Sequence, residues 1–233
     1  MTLGRAAAAE AIGTALLLAI VVGSGVIGER LAQGNLAVAL LANAGATGAG
    51  LYVLIVVFRP ISGAHFNPVV SAIAAFGGRL SSRQAMVYAL AQCSGAFAGV
   101  GAAHAMFGLA ILQVSVRVRP TLGEGLGEVI ATFGLILVIS LTARFRAEAI
   151  PATVAAFITS AYWFTSSTSF ANPAVTLARA MTDTFAGISP ASVPLFIAGQ
   201  LLGGAMAASL TRWLLADYGA SGARERRTQI TKR

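Results

Sequence analysis

Six long apolar stretches constrain this chain more than any other feature. They run at about Ala6–Ile27, Gly34–Phe58, Gln84–Phe107, Gly125–Thr142, Pro151–Phe164 and Val193–Ala216. A helix needs about 20 apolar residues to cross a bilayer, so each stretch reads as one membrane span. Backbone polar groups find no partners in hydrocarbon, so such spans are helices. Six spans use about 120 residues of 233, which leaves no room for a large soluble domain. Charged residues are only 10% of the chain, where a soluble domain carries about 25%. A soluble domain, a disordered chain and a disulfide scaffold are thereby excluded. Two further apolar pieces, Asn67–Phe76 and Asn172–Met181, are too short to span.

The charges orient the spans. An even number of spans puts both termini on one face. Of the 16 Lys and Arg residues, four (Arg30, Arg117, Arg119 and Arg179) fall on the far face and the other 12 on the face of the termini. Cytoplasmic loops carry the excess of positive charge, so both termini are expected in the cytoplasm. The basic tail, 217–233, serves that orientation, with binding of anionic lipid heads as the minor alternative. The net charge of +8 therefore does not point to nucleic acid. The first stretch reads as a membrane helix rather than a cleaved leader. Cys93 is the single cysteine, so no internal disulfide forms, and it reads as packing.

The sequence also repeats itself. Glu10-Ala-Ile-Gly-Thr14 matches Glu128-Val-Ile-Ala-Thr132, Asn67-Pro68-Val69 matches Asn172-Pro173-Ala174, and Gln92-x-x-Gly95 matches Gln200-x-x-Gly203. Each half, at about 6–107 and 125–216, holds three spans, an odd number. The second half therefore enters the membrane from the opposite face, and the functional site is expected where the halves meet near the midplane. Gly95-x-x-x-Gly99 has the small-residue spacing that lets helix backbones approach closely.

Asn is a favoured N-cap and Pro a favoured first helical residue, so Asn67-Pro68 and Asn172-Pro173 each start a half-helix. The two N-termini meet at the midplane, each carrying about half a positive charge, and so repel cations and protons. Each carboxamide oxygen caps its own half-helix, which leaves the NH₂ donors facing a pore. A passing water then offers its oxygen to both asparagines and turns its hydrogens outward, breaking a proton wire. The irregular backbone before each Asn must line a wet cavity or be buried in protein.

On these residues the chain resembles the major intrinsic protein family, the aquaporins and aquaglyceroporins. The matching strings are Ser62-Gly-Ala-His-Phe-Asn-Pro-Val69 and Thr168-Ser-Phe-Ala-Asn-Pro-Ala174, with the repeated Glu and Gln. The resemblance covers about residues 6–216. It implies an all-α membrane protein: a right-handed bundle of six transmembrane helices with two re-entrant half-helices, one channel domain over 1–233. It also implies a homotetramer in the lipid bilayer, with a pore in each subunit passing water and small neutral solutes. Carried over by position, the pore carbonyls come from Gly63, Ala64, His65 and Phe66, and from Thr168, Ser169 and Phe170. His65 then acts through its backbone.

The family's second constriction, nearer the outside, usually includes an Arg directly after the second Asn-Pro-Ala. Here that residue is Val175. Counting 20 before the first Asn gives Thr47; counting 12 and 3 before the second gives Ser160 and Ser169. A filter of Thr47, Ser160, Ser169 and Val175 has no charge and no ring, and is expected to be wide. Larger neutral polyols then pass with water, unless Phe170 or Trp163 swings in. In this the chain resembles the arsenic-operon branch of the aquaglyceroporins, which implies passage of trivalent arsenic and antimony hydroxides and methylarsenicals. Arsenous acid is uncharged at neutral pH and resembles glycerol in outline.

Arg179 lies four residues beyond Val175, on the same helix face. It is expected to supply an outer cation barrier, or else to face headgroups or pair with Asp183. Glu10 and Glu128 are read as braces for the re-entrant loops, helped by Thr14 and Thr132. Tyr52, Tyr88, Tyr162, Trp163, Trp213 and Tyr218 read as interfacial anchors. The chain contains no phosphate-binding glycine loop, metal cluster or nucleophile set, so neither an enzyme nor a cofactor is expected. The expected location is a bacterial-type inner (cell) membrane. The alternative readings are a water-selective channel and a proton-coupled transporter, in which Glu10 or Glu128 carries the proton.

Overall fold

The computed structural model describes residues 1–119, 121–216 and 218; the rest of the basic tail lies outside the described residues. Among them are eight α-helices and no strand. The first repeat contributes α1 (Leu3–Leu31), α2 (Leu36–Ser62), the short α3 (Pro68–Phe76) and α4 (Ser82–Met106). The second contributes α5 (Leu122–Phe145), α6 (Ile150–Phe164), the short α7 (Pro173–Arg179) and α8 (Val193–Leu214). Local chemistry sets the starts. Ser81 with Gln84 and Thr121 with Glu124 form capping boxes that satisfy the first free N–H groups of α4 and α5. Asn35 caps α2 through its side-chain oxygen.

Five helices are long and apolar enough to cross a membrane, consistent with a multi-pass membrane protein. The sixth expected span is shorter than the rest. α6 has 15 residues, and a 3₁₀ turn at Ala147–Ala149 precedes it. Together they reach about 28 Å, close to the hydrocarbon thickness.

The two repeats pack in the same way. α1 lies along α4 as α5 lies along α8, and α2 packs on α1 as α6 packs on α5. Glycines set the closeness of the first two pairs. A Cβ on Gly95 would stand 2.1 Å from the Ala11 carbonyl oxygen, and one on Gly203 would stand 2.2 Å from that of Val129. Neither contact is possible, so only glycine permits these helix crossings. The short helices complete the symmetry: α3 packs on α4 and α8, and α7 on α8 and α4. Val69, in the first Asn-Pro triplet, finds its room in a similar way, since its Cγ1 lies 2.6 Å from where a Gly204 Cβ would be.

The segment 107–119 covers the end of α7. Ser115 N donates to Ala180 O at 3.0 Å, Ser189 N to Arg117 O at 2.7 Å, and Arg117 pairs with Glu29 at 2.9 Å. His104, fully buried, joins the same layer through Ile111 O at 3.0 Å and Thr182 Oγ1 at 2.8 Å. The aromatic anchors divide. Tyr52, Trp163, Trp213 and Tyr218 are exposed, whereas Tyr88 and Tyr162 are buried in the bundle.

Candidate functional site

One cavity of about 400 Å³ runs through the bundle. Arg59, Arg79 and Leu80 border it near the ends of α2 and α3, and Tyr162, Val175 and Arg179 border it near the ends of α6 and α7. Both asparagines lie between. Along α3 the lining residues are Asn67, Val70 and Ala74; along α7 they are Asn172, Val175 and Arg179. This is the i, i+3, i+7 face of each half-helix. Val175 is thus the counterpart of Val70, and Arg179 that of Ala74.

The loops leading into the asparagines carry strained backbone. Ala64, Phe66, Thr168, Ser169 and Ala171 all have φ between 49° and 59°, and Gly63 has 94°. Left-handed backbone costs a non-glycine residue about 1–2 kcal/mol. Gly63, Ala64, His65, Phe66, Ser169 and Phe170 of these loops all border the cavity. Thr168 does not border it; its Oγ1 accepts instead from Arg119 at 3.4 Å.

Two buried glutamates hold these loops in place. Glu10 accepts from His65 N at 2.9 Å, Phe66 N at 2.6 Å, Ser62 Oγ at 2.5 Å and Gln92 Nε2 at 2.8 Å. Glu128 accepts from Phe170 N at 2.9 Å, Ala171 N at 2.8 Å and Gln200 Nε2 at 2.6 Å. Each Gln also donates to a hydroxyl on its half-helix, Ser71 or Thr176. The expected help from the threonines is not present. Thr14 Oγ1 donates to the Glu10 carbonyl of its own helix, and Thr132 Oγ1 has no partner among the described residues. The Thr14 hydroxyl reaches the carbonyl four residues back on its own helix instead of the loop.

The asparagines lock the halves together. Asn67 Oδ1 accepts from Val69 N at 2.9 Å, and Asn172 Oδ1 from Ala174 N at 3.0 Å. Asn67 Nδ2 donates to Ala171 O and Asn172 Nδ2 to Phe66 O, both at 2.7 Å. The expectation that both NH₂ donors face a pore is therefore corrected: one N–H of each is spent across the repeat boundary, and one remains.

The expected filter is corrected at Ser160. It is exposed on the outer side of α6, and its Oγ donates to Phe157 O at 2.7 Å. Ungapped counting missed the helix register, since two residues turn a helix by about 200°. Ile158 and Tyr162, two positions to either side, border the cavity instead. Tyr162 Oη donates to Thr47 Oγ1 at 3.3 Å. Thr47, Ser169 and Val175 do border the cavity. The lining therefore includes a ring, and it includes a charge as well. Arg179 is 2% exposed, with its guanidinium carbon 3.4 Å from the centre of the Phe170 ring and its Nε donating to Ala186 O. It neither faces headgroups nor pairs with Asp183, whose Oδ1 accepts from Val116 N at 3.1 Å. Trp163 points away, half exposed.

Arg119, counted from the sequence only as a far-face charge, also lies at the Phe170 ring. It donates to Ser167 O at 3.1 Å and lies 5.4 Å from the Phe170 ring. Burial pulls its pKa below the ordinary arginine value, while nearby Glu124 pulls it up. No spacing rule reaches it, because the loop that carries it folds back over α7.

The comparisons with known proteins agree with this geometry. The family model described as Major intrinsic protein matches residues 1–166. Aquaglyceroporin AqpS of Rhizobium meliloti (strain 1021) is 51% identical over 213 residues, 91% of each chain. Probable aquaporin TIP2-2 of Oryza sativa subsp. japonica is 28% identical over 90% of this chain and 87% of its own. The X-ray structure of the aquaglyceroporin from Plasmodium falciparum superposes with a TM-score of 0.70 at 19% identity, covering 89% of this chain and 95% of that one, a likeness of fold.

Proposed function

The chain belongs to the major intrinsic protein family, and from that premise we propose that it is a broad channel for small uncharged solutes. It is a passive multi-pass membrane channel, not an enzyme. Its solutes are glycerol-like polyols and trivalent arsenic and antimony hydroxides, with methylarsenicals and water. The observation that carries this is Val175 on the cavity wall directly after the second Asn-Pro-Ala. An apolar residue there leaves more width and one donor fewer than an arginine would. The 51% identity to an aquaglyceroporin supports the same reading.

A solute follows one path in this account. It enters past Tyr162 and Thr47, moves along the carbonyls of the two loops, and meets the one free N–H of Asn67 and of Asn172. Glu10 and Glu128 brace the loops from behind and carry no proton. Arg179, whose charge borders the outer part of the cavity, repels cations in place of the arginine that Val175 replaces. Four such chains assemble as a homotetramer in a bacterial-type inner membrane, with both termini cytoplasmic and 1–233 as one channel domain.

A second reading, a water-selective channel, is favoured by one observation. Tyr162, Phe170 and Arg179 all border the outer part of the cavity, which is less bare than the sequence implies. Proteoliposome shrinkage and uptake decide between the readings. Water, glycerol, arsenous acid and methylarsonous acid are compared for the wild type and Val175→Arg. The proposal expects glycerol and arsenous acid to cross the wild type, and Val175→Arg to slow both at least about tenfold more than water. Water flux without glycerol or arsenite flux in the wild type overturns it.

A further inference from the structure

We propose that Arg179 and Ser169 form a binding site for a small monovalent oxyanion, a carboxylate or sulfonate, at the outer end of the cavity. The proposal rests on the cavity being the conduction path, as argued above. It starts from charge. Arg179 is almost wholly buried, and a buried cation is costly unless it is paired. Yet no carboxylate pairs with it: the ion pair among the described residues is Arg117 with Glu29. Glu128, the buried carboxylate of the same repeat, is already committed to Phe170 N, Ala171 N and Gln200.

The guanidinium is also under-bonded. Nε donates to Ala186 O, and neither terminal nitrogen has a hydrogen-bond partner among the described residues. The stack on Phe170 fixes the plane of the fork, and the residue borders the cavity. An arginine fork held this way matches two oxygens on one centre.

Two hydroxyls nearby also have a proton to give. Ser169, the residue before Phe170, borders the same cavity, and its Oγ is buried with no partner. Thr47 Oγ1 accepts from Tyr162, which leaves its own proton to give. A set of donors around one free positive charge selects a monoanion over a cation or a dianion. The second arginine at this ring, Arg119, is occupied by Ser167 O and Thr168 Oγ1. An anion seated here both obstructs neutral solutes and cancels the charge that repels cations.

The test measures glycerol flux into proteoliposomes at constant ionic strength, with chloride replaced stepwise by methanesulfonate. Methanesulfonamide, the neutral isostere, is added at the same concentrations, and each variant is normalised to its own flux. Methanesulfonate is expected to slow the wild type saturably, and the amide much less. Arg179→Ala should weaken the apparent affinity at least about tenfold, the scale of a lost two-point charged contact. Arg179→Lys keeps the charge without the fork and should fall between. Equal slowing by sulfonate and amide, or an Arg179→Ala channel as sensitive as the wild type, overturns the site. A thermal-shift titration of the detergent-purified protein with methanesulfonate reads binding without flux. If glycerol does not cross at all, the neutral-solute reading fails, while stabilisation of the wild type alone still supports the site. If Arg179→Ala does not fold, the wild type and Arg179→Lys decide between the same two outcomes.

Discussion

Glu10 and Glu128 carry out at single-residue scale what the re-entrant loops need. Each carboxylate takes two successive backbone N–H groups that have no helical partner. Glutamine has one carbonyl oxygen, so Glu10→Gln or Glu128→Gln turns an NH₂ donor toward an N–H donor. A buried donor left unsatisfied costs about 1–3 kcal/mol. Either variant should therefore inactivate at lower temperature in detergent while flux stays downhill. Unchanged thermal inactivation would contradict the brace. At Arg179, removal of the charge should raise cation leak through the channel, read as a faster valinomycin-independent K⁺ flux from proteoliposomes; a leak equal to the wild type's would remove the barrier role. The asparagines and glutamates were legible because each sits in a short repeated string, and Val175 because the family resemblance places an arginine at its position. The contacts of Tyr162 and Arg119 were not. Tyr162 depends on the rotational setting of α6, which a count across a loop does not carry, and Arg119 on a loop folding back over α7.

At the scale of helices, the fold rests on two glycine-mediated contacts, α1 on α4 and α5 on α8. Gly95→Ala places a methyl 2.1 Å from the Ala11 carbonyl oxygen, on backbone that cannot yield. It should force α1 and α4 apart and lower both folded yield and thermal stability. Gly45→Ala is the control, since nothing lies within 4 Å of its added Cβ. In a helix interior that exchange is expected to gain up to about 1 kcal/mol. Thermal inactivation of the two variants side by side checks the contrast, and equal behaviour would contradict it. The spans and both half-helices were readable from apolar run length and Asn-Pro caps. The short span at Pro151–Phe164 was readable too, whereas the 3₁₀ turn at Ala147–Ala149 that lengthens it was not, because it leaves no apolar signature.

Over the whole molecule, one set of interactions is used twice. Glu, Gln, Asn and the hydroxyl on each half-helix recur in the two repeats, and the asparagines exchange bonds with the opposite loops. The symmetry breaks at one position of the lining. Ala74 on one half-helix has Arg179 as its counterpart on the other, so charge borders the lining near one end of α7 and not at the matching place on α3. The inverted repeat was visible in the order of the strings, whereas the exchange of bonds across it required the folded backbone. A passive, twofold-braced channel makes a different demand on Glu10 and Glu128 from a proton-coupled transporter. The most direct test is glycerol flux in proteoliposomes across a range of gradients, with an imposed pH difference and then with a protonophore. The account predicts flux that is downhill, proportional to the glycerol gradient and indifferent to both. Saturable uptake against the glycerol gradient, driven by the pH difference and abolished by the protonophore, would contradict it.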